Sequence, residues 1–240
     1  MTNNAKIGVF DSGIGGTTVL REVRKKLPNE SFIYLGDSKN CPYGEKTNDE
    51  LLDICRNNVN TLLKDNVKLI IVACNTATTR VLPNLREEFP NTPFVGVEPA
   101  IKLATNSGFS RIILLATPGT AESDRTKELI DENKKEGQEI LVIPCPGLAD
   151  AIESRDNSRV EQVLEELLAE IPDSTRDSFE VIVLGCTHYP IIHEKIQRYF
   201  PNAELIDGGK GVAKEVKKLL EKEGLLNSDK EPGIVEYVWT

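Results

Sequence analysis

Two stretches of this chain are built to one plan: LIIVACNTA at residues 69–77 and VIVLGCTHYP at 181–190. Each is a run of mostly branched apolar residues that ends in a cysteine followed by asparagine or threonine. About 110 residues separate the two thiols, roughly the length of one domain. An uninterrupted apolar run of this length reads as a buried parallel strand, and open α/β sheets place their chemistry at the carboxyl ends of such strands. Two halves that each offer one thiol suit a reaction needing proton transfer on two opposite faces of one carbon.

The rest of the chain follows the same duplication. KIGVF (6–10) reads as a strand, then a glycine-rich turn leads into the helical TTVLREVRKKL. FIYLGD (32–37) is a second strand, a helix covers 48–64, the third strand ends at Cys74, and TPFVGV (92–97) is a fourth. The plan then restarts. RIILLATPGTAESDRTKELIDENKK (111–135) repeats KIGVFDSGIGGTTVLREVRKK, and EILVIPCPGLADAIE parallels FIYLGDSKNCPYGE. Strands alternating with helices predict parallel sheets with right-handed crossovers. The fold class expected is α/β: two similar parallel-sheet domains related by a pseudo-twofold, with the active site in the cleft between them. The first comprises residues 1–97 plus 208–240 and the second 98–207. The tail, a glycine turn, an amphipathic helix and a last strand IVEYVW, is expected to return to the first.

Composition excludes several classes. A net charge of −9 disfavours a nucleic-acid partner, which demands clustered positive charge, and no apolar stretch approaches the length that spans a bilayer. The start, MTNNAKIGVF, lacks the features of an export signal. Five cysteines, an odd set with no CxxC pair, favour free thiols in a reducing compartment, hence the cytoplasm, over disulfides or a structural metal.

The candidate chemistry lies at the ends of the strands. DSGIGG (11–16) brings backbone amides close to a ligand or simply makes a tight turn with Asp11 bonded to local amides. Cys74, Asn75 and Thr76 stand where a strand becomes a helix, and Cys186, Thr187 and His188 are read in the same way. A thiol at a helix N-terminus is expected to have its pKa lowered. Cys41, Cys55, Cys145 and His193 are read as unreactive, with Cys41 in a loop lining the cleft.

DSGIGG, GDS followed by CPYG, VACNTA, ATPGT and LGCTHYP occur here in one order over nearly the whole chain. In this the chain resembles the bacterial glutamate racemases of the cofactor-independent aspartate/glutamate racemase superfamily. The resemblance implies Cys74 and Cys186 as the two acid/base thiols, assisted by Asp11 and His188. It implies that Asp11, Ser12, Tyr43, Gly44, Asn75, Thr76, Thr187 and His188 bind the amino acid, with Thr120 and Glu153 lining the site. Related aspartate racemases usually carry glutamate at the position of His188, so the histidine points to glutamate as substrate. No cofactor or metal is implied, because acid/base groups on both faces replace an electron sink. Peptidoglycan synthesis as the use of the product and a homodimer are implied as well.

Two departures stand out. Ser123-Asp124-Arg125-Thr126 replaces a Ser-Gly-Ala-Tyr type segment, so packing beside the substrate or the subunit contact is expected to differ. The chain stops at EYVWT where many relatives continue through a helix, so exposed apolar surface or altered dimerisation is expected there. The motifs also accommodate a racemase of another acidic amino acid, a binding module that kept the cleft, or a redox or metal-binding protein. Both thiols being intact counts against the binding module.

Overall fold

The computed structural model describes residues 3–169, 171–228 and 231–240, with backbone alone at 173 and 174. The chain forms β1 (Ile7–Asp11), α1 (Thr17–Lys26), β2 (Phe32–Gly36), α2 (Asn48–Leu63), β3 (Leu69–Val72), α3 (Asn75–Glu88) and β4 (Phe94–Gly96). It continues through α4 (Ile101–Asn106), β5 (Arg111–Ala116), α5 (Pro118–Ala121), α6 (Asp124–Asn133), β6 (Glu139–Pro144) and α7 (Leu148–Glu153). There follow α8 (Asn157–Leu168), α9 (Asp173–Arg176), β7 (Val181–Leu184), α10 (His193–Tyr199), β8 (Glu204–Ile206), α11 (Gly209–Lys222) and β9 (Val235–Trp239).

The strands make two sheets, β4-β3-β1-β2-β9 and β6-β5-β7-β8, parallel throughout. Written from the other edge, the second sheet runs β8-β7-β5-β6, the same order as β4-β3-β1-β2. The duplication read from sequence is therefore a duplication of topology, with β9 added at the edge of the first sheet. In each half the central pair is almost wholly buried because helices cover both faces. Phe10 lies opposite Val72, and Leu115 lies opposite Leu184. The short β8 escaped the sequence reading, since three residues are too few to display a period.

Local signals set the helices. Thr47 and Glu50 form a reciprocal capping box at the start of α2. Ser123 caps α6 by accepting the Thr126 amide, and Thr117 caps α5 by accepting that of Thr120. The segment that departs from the family pattern is thus the first turn of α6, from which Arg125 reaches Glu98 at 2.7 Å beside the chain crossing between halves.

A buried ion pair anchors the base of the first sheet. Lys68 Nζ lies 2.6 Å from Glu30 Oε2, with both side chains almost fully sequestered, and also donates to the carbonyls of Asn3 and Leu225. The Asn227 amide donates to Glu30 Oε1 at 2.8 Å, so the pair holds the segment between α11 and β9 against β2. On β9 itself, Tyr237, Val238 and Trp239 remain largely exposed, although the Trp239 and Tyr34 rings lie in tilted contact at 5.6 Å.

Candidate active site

The carboxyl ends of both sheets meet, and the side chains singled out in the sequence gather there. Cys74 and Cys186 each lie two residues beyond the last residue of their strands, β3 and β7, so the register of the repeat carries directly into the thiols. Asp11 ends β1 and is completely buried; its Oδ2 accepts the Gly16 amide at 2.7 Å, and Thr187 Oγ1 donates to Oδ1 at 3.3 Å. His188 is buried, with Nδ1 3.7 Å from Cys186 Sγ and Nε2 2.7 Å from Glu153 Oε2.

Glu153 joins the halves. Projecting from the end of α7, it accepts the Ile14 amide at 2.8 Å on Oε2 and the Ser38 hydroxyl at 2.8 Å on Oε1, both from the first half. Its burial raises the carboxyl pKa, but the His188, Ile14 and Ser38 bonds outweigh that and leave it below the ordinary value. Three threonines make a second bridge. Thr76 Oγ1 lies 2.9 Å from that of Thr117 and 3.1 Å from that of Thr120. The Asn75 amide donates to the Val97 carbonyl at 3.3 Å, which leaves its oxygen and second N–H available.

The glycines of the first turn serve close approach between protein groups. A Cβ on Gly13 would fall 2.2 Å from Glu153 Oε2, and one on Gly15 would fall 2.5 Å from His188 Nδ1. Only hydrogen at these positions lets the second half reach across with Glu153 and His188.

The expected lowering of the thiol pKa values does not survive burial. Burial and the Asp11 carboxylate push Cys74 up to about 12, although amides of Thr76 and Ala77 and the Ser12 hydroxyl pull the other way. Cys186 is raised well above the usual thiol range by burial, with Cys74, Asp11 and Cys41 adding to it and only the His188 amide opposing. The two ends also differ locally. Cys74 is the N-cap of α3, whereas the chain after Cys186 makes a 3₁₀ turn (Tyr189–Ile192) before α10, so a long helix supports only one thiol. Burial raises Asp11 to about 6, despite the opposing influence of His188 and of the Gly16, Ser12 and Gly13 amides.

The remaining positions fall into place around this centre. Tyr43 is buried and donates to Asp37 Oδ2 at 2.6 Å, while a Cβ on Gly44 would come within 2.8 Å of Thr117. Ser12 is buried beside Cys74 and Cys41. Cys55 and Cys145 are buried away from solvent in the cores of their halves, and His193 is exposed. The sequence reading missed Asp37, Ser38 and Thr117. Asp37 accepts from Tyr43, Asn40, Asn58 and the Thr240 hydroxyl, and so fixes the Tyr43-Gly44 loop. Asp37 stands one residue past Gly36, the residue paired with Asp11, and no spacing in the sequence marks its role. A cavity of about 1150 Å³ lies elsewhere, among Arg21, Lys25, Arg86, Glu98, Arg125 and Lys214, and holds none of the thiols.

Fold and site together define a duplicated α/β protein whose halves meet at their strand ends, each bringing one buried thiol with a titratable neighbour. Residues 16–216 match the family model of the Asp/Glu/hydantoin racemases, and the chain belongs to that family. It is 42% identical to glutamate racemase of Clostridium acetobutylicum over 98% of this chain and 91% of that one. Among solved structures it is similar to glutamate racemase of Thermus thermophilus in complex with β-chloro-D-alanine, with TM-score 0.82, 35% identity, and coverage of 100% of this chain and 89% of that one. A Francisella tularensis glutamate racemase in complex with D-glutamate aligns with TM-score 0.82 and 31% identity over 99% of this chain and 89% of that one.

Proposed function

We propose that this racemase interconverts L- and D-glutamate by proton transfer between Cys74, Cys186 and the α-carbon, without a cofactor. The observation that carries the reading is the placement of one thiol two residues past each of two equivalent strands, with Asp11 near Cys74 and His188 beside Cys186. The relatives named above act on glutamate by name, and one of them holds D-glutamate.

The α-proton of an amino acid is a very weak acid, so one thiolate removes it while the opposite thiol delivers another. One thiol and one thiolate must therefore coexist and exchange roles at each turnover. The raised pKa values of both cysteines mean that the resting protein holds its protons, and ionisation has to come with substrate. The substrate ammonium is a cation brought into a buried site, and an opposite charge at short range favours a thiolate. Asp11, with a pKa of about 6, and His188 are placed to accept and return the proton each thiol exchanges. Asn75, Thr76, Thr187, Ser12 and the Tyr43-Gly44 loop are proposed to hold the carboxylates and ammonium, through donors oriented by the contacts described above.

We further propose that the product serves peptidoglycan synthesis in the cytoplasm and that the enzyme is a homodimer. Five unpaired cysteines are consistent with a reducing compartment, and no helix among the described residues is long and apolar enough to cross a membrane. The dimer rests on family resemblance, and light scattering of the purified protein tests it.

The deciding experiment is proton NMR of the purified protein with L-glutamate in D₂O, followed with optical rotation and no added cofactor. Loss of the α-proton signal with decay of rotation toward zero is expected. If neither changes, the glutamate reading fails, and aspartate in the same assay separates a different acidic substrate from a cleft that only binds.

A further inference from the structure

We propose that Cys41, Glu153 and His188 form a binding site for a thiophilic divalent cation, zinc above all, whose occupation reversibly blocks turnover. Among the described residues one group of three metal-ligating side chains comes together, and it is this one, with all three donor atoms within 4.8 Å of one another. They come from three separate parts of the chain, a loop of the first half, the end of α7 and the turn after β7, so folding alone assembles the set. Cys41 has no part in the proton transfer proposed above.

The donor set suits zinc. Thiolate, imidazole and carboxylate are its usual protein ligands, at about 2.3, 2.0 and 2.1 Å respectively, and tetrahedral geometry then separates neighbouring donors by about 3.4 to 3.6 Å. His188 Nε2 and Glu153 Oε2 now stand at 2.7 Å, and Cys41 lies no farther than 4.8 Å from either. Opening the first contact by about 0.7 Å and drawing Cys41 inward by at most about 1.3 Å completes the geometry. Both are side-chain movements, and the half-buried Cys41 and Glu153 leave a route in from solvent. With three protein ligands the fourth position stays open to water or to a substrate carboxylate. On binding, Cys41 loses its thiol proton to solvent and the imidazole binds through the nitrogen that now faces Glu153.

The consequence for turnover, unlike the binding itself, rests on the racemase reading. A metal on His188 Nε2 displaces Glu153 and fixes the imidazole whose Nδ1 is 3.7 Å from Cys186, so the ring is no longer available for the role proposed above. Both directions of turnover use that ring, and both stop.

Cobalt(II) and zinc test the proposal on the full chain. Cobalt is expected to give a thiolate charge-transfer band with tetrahedral d–d transitions in the unaltered protein and equally in a Cys74→Ser/Cys186→Ser variant, and to give none in Cys41→Ser or Cys41→Ala. Glu153→Gln is expected to weaken zinc binding, measured by calorimetry, about tenfold or more. Zinc is expected to inhibit racemisation by the unaltered protein, with recovery on adding EDTA, and to spare Cys41→Ser, whose metal-free activity matches that of the parent. A cobalt band that persists in Cys41→Ser places the metal on the catalytic thiols and overturns the proposal, as does the absence of a band in the unaltered protein. Unchanged zinc affinity in Glu153→Gln overturns the three-donor site. Since the cobalt spectrum needs no turnover, failure of the glutamate reading and failure of this site register in different measurements.

Discussion

Replacing Gly15 with alanine is the most direct test of how the two halves fit. The added methyl would stand 2.5 Å from His188 Nδ1 and 2.6 Å from Thr187 Oγ1, where ordinary contact begins near 3.4 Å. Because His188 is 1% exposed and held by Glu153, the turn of residues 13–16 and the turn of 186–188 must separate by roughly 1 Å. Overpacking of this kind costs about 1 to 3 kcal/mol of stability. A displacement of about 1 Å at reacting groups costs on the order of 100-fold in rate, equivalent to roughly 2.7 kcal/mol of transition-state stabilisation. Circular dichroism at a single wavelength follows racemisation from either enantiomer. Because the enantiomers have equal free energy in water, the kcat/KM loss must be the same in both directions. Gly211→Ala is the matched control: nothing lies within 4 Å of its added methyl, and in the α11 helix it should stabilise by about 0.5 to 1 kcal/mol with unchanged activity. Parental kcat/KM in Gly15→Ala would refute the claim that glycine is there to admit His188.

Cys74→Ala and Cys186→Ala should each abolish racemisation while leaving the far-ultraviolet spectrum intact; full activity in either ends the two-thiol mechanism. Burial holds the Asp11 carboxyl at about 6 in the folded protein, above its ordinary value of 3.8, so its contribution to stability is complete below the unfolded value and is lost as pH rises through 6. Relative to Asp11→Asn, the protein should therefore lose roughly 2 kcal/mol between pH 4 and pH 7 in urea melts, and a constant difference across that window contradicts the assignment. Glu153→Gln removes the charged partner of His188 and should lower kcat/KM about 10- to 100-fold, a loss that an unchanged rate would contradict. Lys68→Met leaves Glu30 buried and unpaired and should cost about 3 to 5 kcal/mol, most of it recovered in Lys68→Met/Glu30→Leu; a mild single variant would show that water reaches the pair.

The cysteine strands were legible because burial on both faces leaves an unbroken apolar run, and the repeat was legible because each half solves the same packing problem in the same order. Cys74, Cys186, Asp11 and His188 could be named from their positions at strand ends. Asp37 and Ser38 could not, since their role comes from partners as distant in sequence as Thr240 and Glu153. The thiol pKa values went against expectation for a related reason: a helix N-terminus can be read from a sequence, but the depth of burial that overrides it cannot.

Local sequence determined the parallel strands, the capped helices, the duplication and the kinds of chemical group available at the strand ends, because periodicity and capping act within a few residues. Only tertiary structure decided that Glu153 spans to Ile14 and Ser38, that Gly13 and Gly15 make room for the other half, and that Cys41 joins Glu153 and His188. Those outcomes depend on how the two sheets and their helices approach one another within an ångström, and on the desolvation that follows. Both are properties of the closed interface that neither half carries in its own sequence.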